Sequence, residues 1–197
     1  MTRETPMQSR TEDLLIIQRD LAITLGQASS LPKALELILT TALKVSGADG
    51  GGIYLREPHG GGYRLRCHHG LSPEFVAGVR TGAPDCSRLE VVRPGKPIYD
   101  LPLDEDCRSE GIEALSVLPV KHEGELIAVI NQAWRTRTLP DAHARSALEA
   151  IAAQLGGVVV HLRAEDALRE SERRFRAQFD YLPVPAYMWR QVEGDDF

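Results

Sequence analysis

The sequence predicts an α+β fold: a central antiparallel sheet of five or six strands, with helices on one face and a lid of loops and a short helix on the other. Three observations carry this. Glu113 to Val160 reads as a hairpin feeding a long helix, because Ala114–Val120 and Leu126–Trp134 are apolar runs joined by Lys121-His122-Glu123-Gly124-Glu125, whose glycine can take the positive φ of a hairpin turn. The second run is apolar in both parities, with Leu126, Ala128, Ile130 and Trp134 on one face and Ile127, Val129 and Ala133 on the other, which marks a central strand covered above and below. After Leu139-Pro140-Asp141, a helix-start signal, apolar residues recur at helical spacing: Leu148, Ile151, Ala152, Leu155, Val158, Val159, Leu162.

The remaining elements are taken in chain order. Residues 1–11 are polar and read as a disordered tail. Glu12 to Ala28 is a predicted helix whose Leu14, Ile17, Leu21, Leu25 and Ala28 approach a seven-residue repeat, the mark of a helix that wants a partner. Leu31-Pro32 opens a second helix, Pro32 to Gly47, with Ala34, Leu35, Ile38, Leu39, Ala42 and Val45 at core spacing. Ala48-Asp49-Gly50-Gly51 reads as a turn, Gly52–Arg56 as the first strand and Tyr63–His69 as the second. Ser72–Gly78 is a short helix, residues 81–88 are loop, and Leu103 to Gly111 is an acidic loop or short helix. Ala164 to Asp180 contains no proline or glycine and continues the long helix, with Leu162, Leu168, Phe175 and Phe179 on an apolar line.

Several stretches resemble the GAF domain family. They are Ser46-Gly47-Ala48-Asp49-Gly50-Gly51-Gly52-Ile53-Tyr54-Leu55, the strand Leu65-Arg66-Cys67-His68-His69-Gly70-Leu71, the segment Glu90 to Asp100 and Leu118-Pro119-Val120. Gly124 to Ile130 and the helix from Leu139 through Gln154 complete the set. Arg93-Pro94 stands where that family commonly has threonine. The resemblance implies a GAF-like, and so PAS-like, sheet with Glu12–Ala28, Pro32–Gly47 and the helix from Pro140 on one face, and Ser72–Gly78 and the Arg80–Gly111 loops on the other. Further on, Ser171-Glu172-Arg173-Arg174-Phe175-Arg176 to Pro183 is similar to the opening of a PAS domain. The domain reading is therefore a tail at 1–11, a GAF domain at 12–162, a coiled-coil linker helix at 163–180 and the truncated start of a PAS domain at 171–197, so that the chain is expected to be part of a longer sensory protein.

Composition narrows the function. Hydrophobic residues at 43% and charged residues at 26% are ordinary for a globular protein, and a net charge of −5 gives no reason to expect nucleic acid. No apolar run approaches the roughly 20 residues that span a bilayer, so no membrane insertion is expected. The N-terminus lacks the apolar core of a signal peptide. Three irregularly spaced cysteines do not form a secreted disulfide framework, and a reducing cytoplasm is the expected compartment.

Cys67-His68-His69 is the sharpest chemical cluster. On a strand Cys67 and His69 share one face and His68 takes the other. With Cys86 and Cys107 it could form a thiolate–imidazole metal site or a redox sensor, although the spacings match no standard metal motif, and the plainer reading is a core cysteine beside strand-end histidines. The family's bilin-binding members carry a Cys-His pair on a helix, out of register with Cys67-His68. Haem through His59, His68, His69, His122 or His143 has no supporting motif. Its cyclic-nucleotide members place lysine after the asparagine, whereas Asn131 precedes Gln132. No cofactor is predicted. Ser116, Asp100 and His122 are the nearest approach to a hydrolytic triad and lack any motif; no kinase core is present either.

The family layout and strand parity together imply a small-molecule pocket under the lid lined by Cys67, His69, Cys86, Tyr99, Asp100, Cys107, Leu118 and Val129. The terminal helices are expected to pair two copies of the chain through a seam of Leu14, Ile17, Leu21, Leu148, Leu155 and Leu162. The functional expectation is a non-catalytic sensory module of a two-component system that relays a change in the pocket to an output domain, with a histidine kinase preferred to a diguanylate cyclase. The alternatives are a dimerisation spacer without ligand and a cysteine-based redox or metal sensor.

Overall fold

The structure, a computed structural model, describes Arg19, Ala28 and residues 30–58, 62–79, 81–82 and 95–180, the last two stretches including backbone alone at 81–82 and 178–180. The expected helix Glu12–Ala28, with Leu14, Ile17 and Leu21, lies outside the described residues apart from Arg19 and Ala28, as does Cys86. The chain divides into two compact units, Met1–Leu162 and Arg163–Phe197.

In the first unit the elements run α1 (Leu31–Ser46), β1 (Gly50–Arg56), β2 (Tyr63–His69), α2 (Pro73–Val79), β3 (Thr81–Gly82), α3 (Glu105–Ser109), β4 (Ala114–His122), β5 (Glu125–Trp134) and the start of α4 (Ala142–Asp180). The sheet order is β3-β2-β1-β5-β4, with every pair antiparallel. Of the five or six strands expected, four are full strands among the described residues and the fifth is the two-residue β3 at the edge. The hairpin turn is built on Glu123 and Gly124, at φ 51° and 87°, the left-handed pair that matches strand twist.

Burial follows from apolar spacing. Ala34, Leu35, Ile38, Leu39, Ala42 and Leu43 put one face of α1 against the sheet. Leu148, Ile151, Leu155, Val159 and Leu162 do the same for α4, and both helices meet Ile53, Leu55, Leu118, Val120, Ala128 and Ile130. The opposite face presents Tyr54, Leu65, Leu115, Val117, Val129 and Ala133 to Leu101, Cys107 and Ile112, with Phe75, Val76 and Val79 of α2 against them. The helices-below, lid-above arrangement thus holds for the described residues.

The structure corrects four expectations. Gly50 and Gly51 are not part of a turn but the buried start of β1. A Cβ on Gly51 would stand 2.3 Å from the Asn131 carbonyl oxygen, so only glycine lets β1 close on β5 there. Leu126 and Ile127 exchange faces, because a register shift between Val120 and Lys121 breaks the alternation: Ile127 packs on the helix side and Leu126 on the lid side. Leu148, Leu155 and Leu162 are 1%, 0% and 6% exposed inside the chain's own core and do not form a seam between copies. A helical apolar stripe demands cover, and here the sheet supplies it. Finally, Ala142–Ala177 is long and apolar enough to cross a membrane by length and composition; its apolar residues up to Leu162 are those that cover the sheet, which makes this part a core helix.

The β4 edge is closed. Ile98 exchanges both backbone hydrogen bonds with Val117, Leu101 N–H donates to the Leu115 carbonyl, and Pro119, next in that outward-facing parity, has no N–H to offer. At the far end α4 rides directly on the strand: a Cβ on Gly156 would meet the Lys121 carbonyl oxygen at 2.4 Å.

In the second unit α4 continues without interruption to Asp180. Its side chains from Ala167 to Ala177 are exposed, Leu168 and Phe175 each by 61%. Pairs such as Glu165–Arg169 and Glu170–Arg174, four residues apart, support the helix in solvent.

Candidate functional site

The lid side of the sheet is where the described chain departs from plain core packing. α2 starts where the Ser72 hydroxyl accepts a hydrogen bond from Phe75 N–H, and α3 starts where the Asp104 carboxylate accepts one from Cys107 N–H. The two short helices are tied to each other and to β5 through Glu110, at the end of α3. Its carboxylate accepts from Ser72 N–H (2.8 Å), from the Ser72 hydroxyl and from Arg135 Nη2 (3.3 Å). Arg135 also donates to the Glu110 and Gly70 carbonyls, and its own N–H to Asp49 Oδ2. The Ser72 hydrogen bonds and the Arg135 guanidinium hold the Glu110 carboxyl below the usual carboxylate range, against a smaller opposing effect of burial.

Between α2 and α3 lies a cleft of about 330 Å³. Phe75 and Val79 form its apolar side and also pack on the lid-side core, so these two side chains separate cleft from core. Glu74, Asp106, Ser109 and Glu110 supply the polar side.

Among the described residues the sheet surface beneath the lid is largely apolar, with His68 of β2 and Asn131 of β5 as polar residues on the row that runs through Gly52 and Val117. Asn131 sits in β5 between Gly52 of β1 and Val117 of β4. Alternation places it on the lid face with Val129 and Ala133. Its Oδ1 is sealed from solvent and has no hydrogen-bond partner among the described residues. Its neighbour Gln132 points the other way and is fully engaged: Nε2 donates to the Ala42 carbonyl (3.0 Å) and Ser46 Oγ (2.9 Å), and Oε1 accepts from Ser116 (3.1 Å).

The expected pocket residues do not converge. Val129 and fully buried Cys107 belong to the lid-side core. Leu118 and Cys67 pack on the helix side, because pairing with Ile130 and Ile53 fixes their parity. Tyr99 also turns to that side, donating to Glu149 (2.9 Å) beneath the Arg145 guanidinium, and burial followed by the Glu149 hydrogen bond raises its phenol well above the usual range. His69 is exposed at the strand end, and exposed Asp100 pairs with Arg137.

The sheet therefore stands between Cys67 and Cys107, which removes the shared three-cysteine metal or redox site. Burial also pushes the Cys67 thiol up to about 12, far from a reactive thiolate. Ser116 is spent on Gln132 inside the helix side, so no triad forms with Asp100 and His122. Sequence reasoning missed Glu110 and Arg135, which no motif marks, and marked Asn131 only through its neighbour Gln132.

No curated protein matches the chain. Among solved structures, the fold is similar to the GAF domain of a phosphoenolpyruvate-protein phosphotransferase from Coxiella burnetii, with a TM-score of 0.68 and 21% identity over 80% of this chain and 98% of that one. It is also similar to a domain of a protein assigned as a two-component sensor histidine kinase from Sinorhizobium meliloti, with a TM-score of 0.61 and 23% identity over 72% of this chain and 99% of that one. The GAF domain of an assigned sensor histidine kinase from Pseudomonas syringae gives 0.63 and 19%, over 84% and 96%. At such identities the likeness is one of fold. A family model described as GAF domain matches residues 28–160, from before α1 into α4, and the chain belongs to the GAF domain family.

Proposed function

We propose that this chain is the sensory input module of a cytoplasmic signal-transduction protein of the sensor histidine kinase kind, acting as a homodimer and relaying a small-molecule event on the lid side through α4 into a following PAS domain. In this reading the module binds and relays and the output domain does the chemistry. The observation that carries the reading is α4. One face of this single helix is core to the sheet, and the same helix runs on to Asp180 with large apolar side chains in solvent.

The seam of that dimer lies on the face turned away from the sheet. Ala150, Ala153, Gly157, Val160, Ala164, Ala167 and Ser171 recur at alternating spacings of three and four, the period of a coiled coil, and from Ala153 onward they are exposed. Leu168 and Phe175, seven apart, flank the later part of the line. Small residues let two helices approach closely, and a rigid helix passes any change in their seating onward. A ligand moves such an equilibrium only by its difference in affinity between the two seatings.

Sedimentation velocity tests this. The chain is expected to be a dimer, and Ala153→Arg with Leu168→Glu should make it a monomer with an unchanged thermal melt. A monomeric wild-type chain, or a double variant that still dimerises, ends the reading.

A spacer role without ligand has one observation in its favour: Cys107, Val117 and Val129 are all 0% exposed, so the described lid-side core is tightly filled. Native mass spectrometry separates the two readings by the presence or absence of a retained small molecule.

A further inference from the structure

Asn131 and Gln132 are adjacent amides on opposite faces of one strand, and the chain treats them differently. Gln132 has three partners that join the sheet to the end of α1. Asn131 Oδ1 is equally cut off from water and has no partner among the described residues. A buried amide oxygen left open is costly, and such groups are ordinarily paired. Trp134 Nε1 and Gln154 Oε1 likewise have no partner among the described residues, but neither lies on the lid face of the sheet. Asn131 does, in the middle of an apolar floor made by Tyr54, Leu65, Val117 and Val129.

We infer that Asn131 is the polar anchor of the lid-side site, and that its ligand is a neutral, mostly apolar molecule presenting an N–H or O–H donor to Asn131 Oδ1. This rests on reading the lid side as the ligand side. The chemistry comes from the floor. Apolar side chains accept a flat or aliphatic body, a lone acceptor demands a donor, and the described residues that line the cleft include Glu74, Asp106 and Glu110 and no cationic side chain, which disfavours a phosphate or carboxylate there. Phe75 and Val79, which divide cleft from core, are the side chains the ligand must displace on its way in.

The test uses the whole chain and two matched probe pairs: indole with 1-methylindole, and benzamide with N,N-dimethylbenzamide. Each pair differs in the N–H. Amide chemical shifts should move at Gly52, Val117, Val129 and Asn131 with indole or benzamide, and the methylated partner should bind at least ten-fold more weakly. In Asn131→Leu the difference within each pair should fall below two-fold, while the melting temperature of the free variant stays the same or rises. Equal binding within both pairs, no shift at the lid-face amides, or a fall of several degrees in the melting temperature of Asn131→Leu overturns the inference, the last because it would show that the chain itself satisfies this oxygen. Dimerisation is read separately by sedimentation, so the loss of this inference and the loss of the relay reading are distinct results.

Discussion

The two faces of one sheet have been put to different uses. On the helix side, apolar residues from α1, α4 and four strands close on one another; of the polar groups away from the lid face, Ser116 and Gln132 satisfy each other and the end of α1, whereas Trp134 Nε1 and Gln154 Oε1 have no partner among the described residues. On the lid side, the described cover is two short helices held by a polar clamp at Glu110 and Arg135, and the buried Asn131 Oδ1 has no partner among the described residues. The first face is built as a structural core under long helices; the second is a thinner cover that, in the function proposed above, closes over a site. Long helices can bury whole stripes of side chains, whereas a short helix has little apolar face and depends on hydrogen bonds at its ends.

The contrast can be broken by mutation. Its strongest test is Leu155→Ala: the residue is fully buried between α4 and the sheet, so about 2–5 kcal/mol of stability should disappear in urea unfolding. A loss below about 1 kcal/mol would mean that α4 is not core. Gln132→Leu comes next. It leaves the Ser116 hydroxyl without its partner away from water and removes the tie to the end of α1, at about 1–3 kcal/mol, while Asn131→Leu one residue away should cost nothing. If both variants lose the same stability, the two faces are alike and the asymmetry between them disappears.

Gly156→Ala places a methyl against the Lys121 backbone oxygen, which cannot move without shifting β4. Helix propensity returns about 1 kcal/mol of an overpacking cost of about 1–3 kcal/mol, so the net loss should be about 0–2 kcal/mol. A more stable Gly156→Ala protein would show that α4 does not ride on the strand.

The smallest effect belongs to Glu110→Gln, a few tenths of a kcal/mol to about 1 kcal/mol at neutral pH. Its pH dependence is more telling than its size. The folded chain holds this carboxyl below its ordinary value, so its contribution is present above the unfolded-state pKa and is lost as pH falls through the depressed one. The gap in melting temperature between wild type and Glu110→Gln should therefore be constant near neutrality and close in the acid range below the usual carboxylate pKa. A gap that widens on acidification would reverse the sign of the clamp.

Much of the fold is legible in the sequence for a physical reason. The hairpin and α4 can be read because their signals are local: two apolar runs around a glycine turn, then a change of period from two to three and four. The burial of Leu148, Leu155 and Leu162 is legible as well; their cover is not, since a stripe states only that cover is needed. The pocket residues are misplaced by sequence because strand parity fails at a bulge, as at Leu126 and Ile127, and because loop residues such as Tyr99 have no parity at all.

By itself the sequence determined the α+β class, the antiparallel hairpin, the helices α1 and α4 and the family text that runs through them, because each depends on neighbours within a few residues. Only the tertiary structure decided which face of α4 the sheet takes, that Cys67 and Cys107 are parted by it, and that Gln132 is satisfied while Asn131 Oδ1 has no partner among the described residues. Those outcomes depend on partners as much as 90 residues away in the chain, and no local pattern records such a meeting.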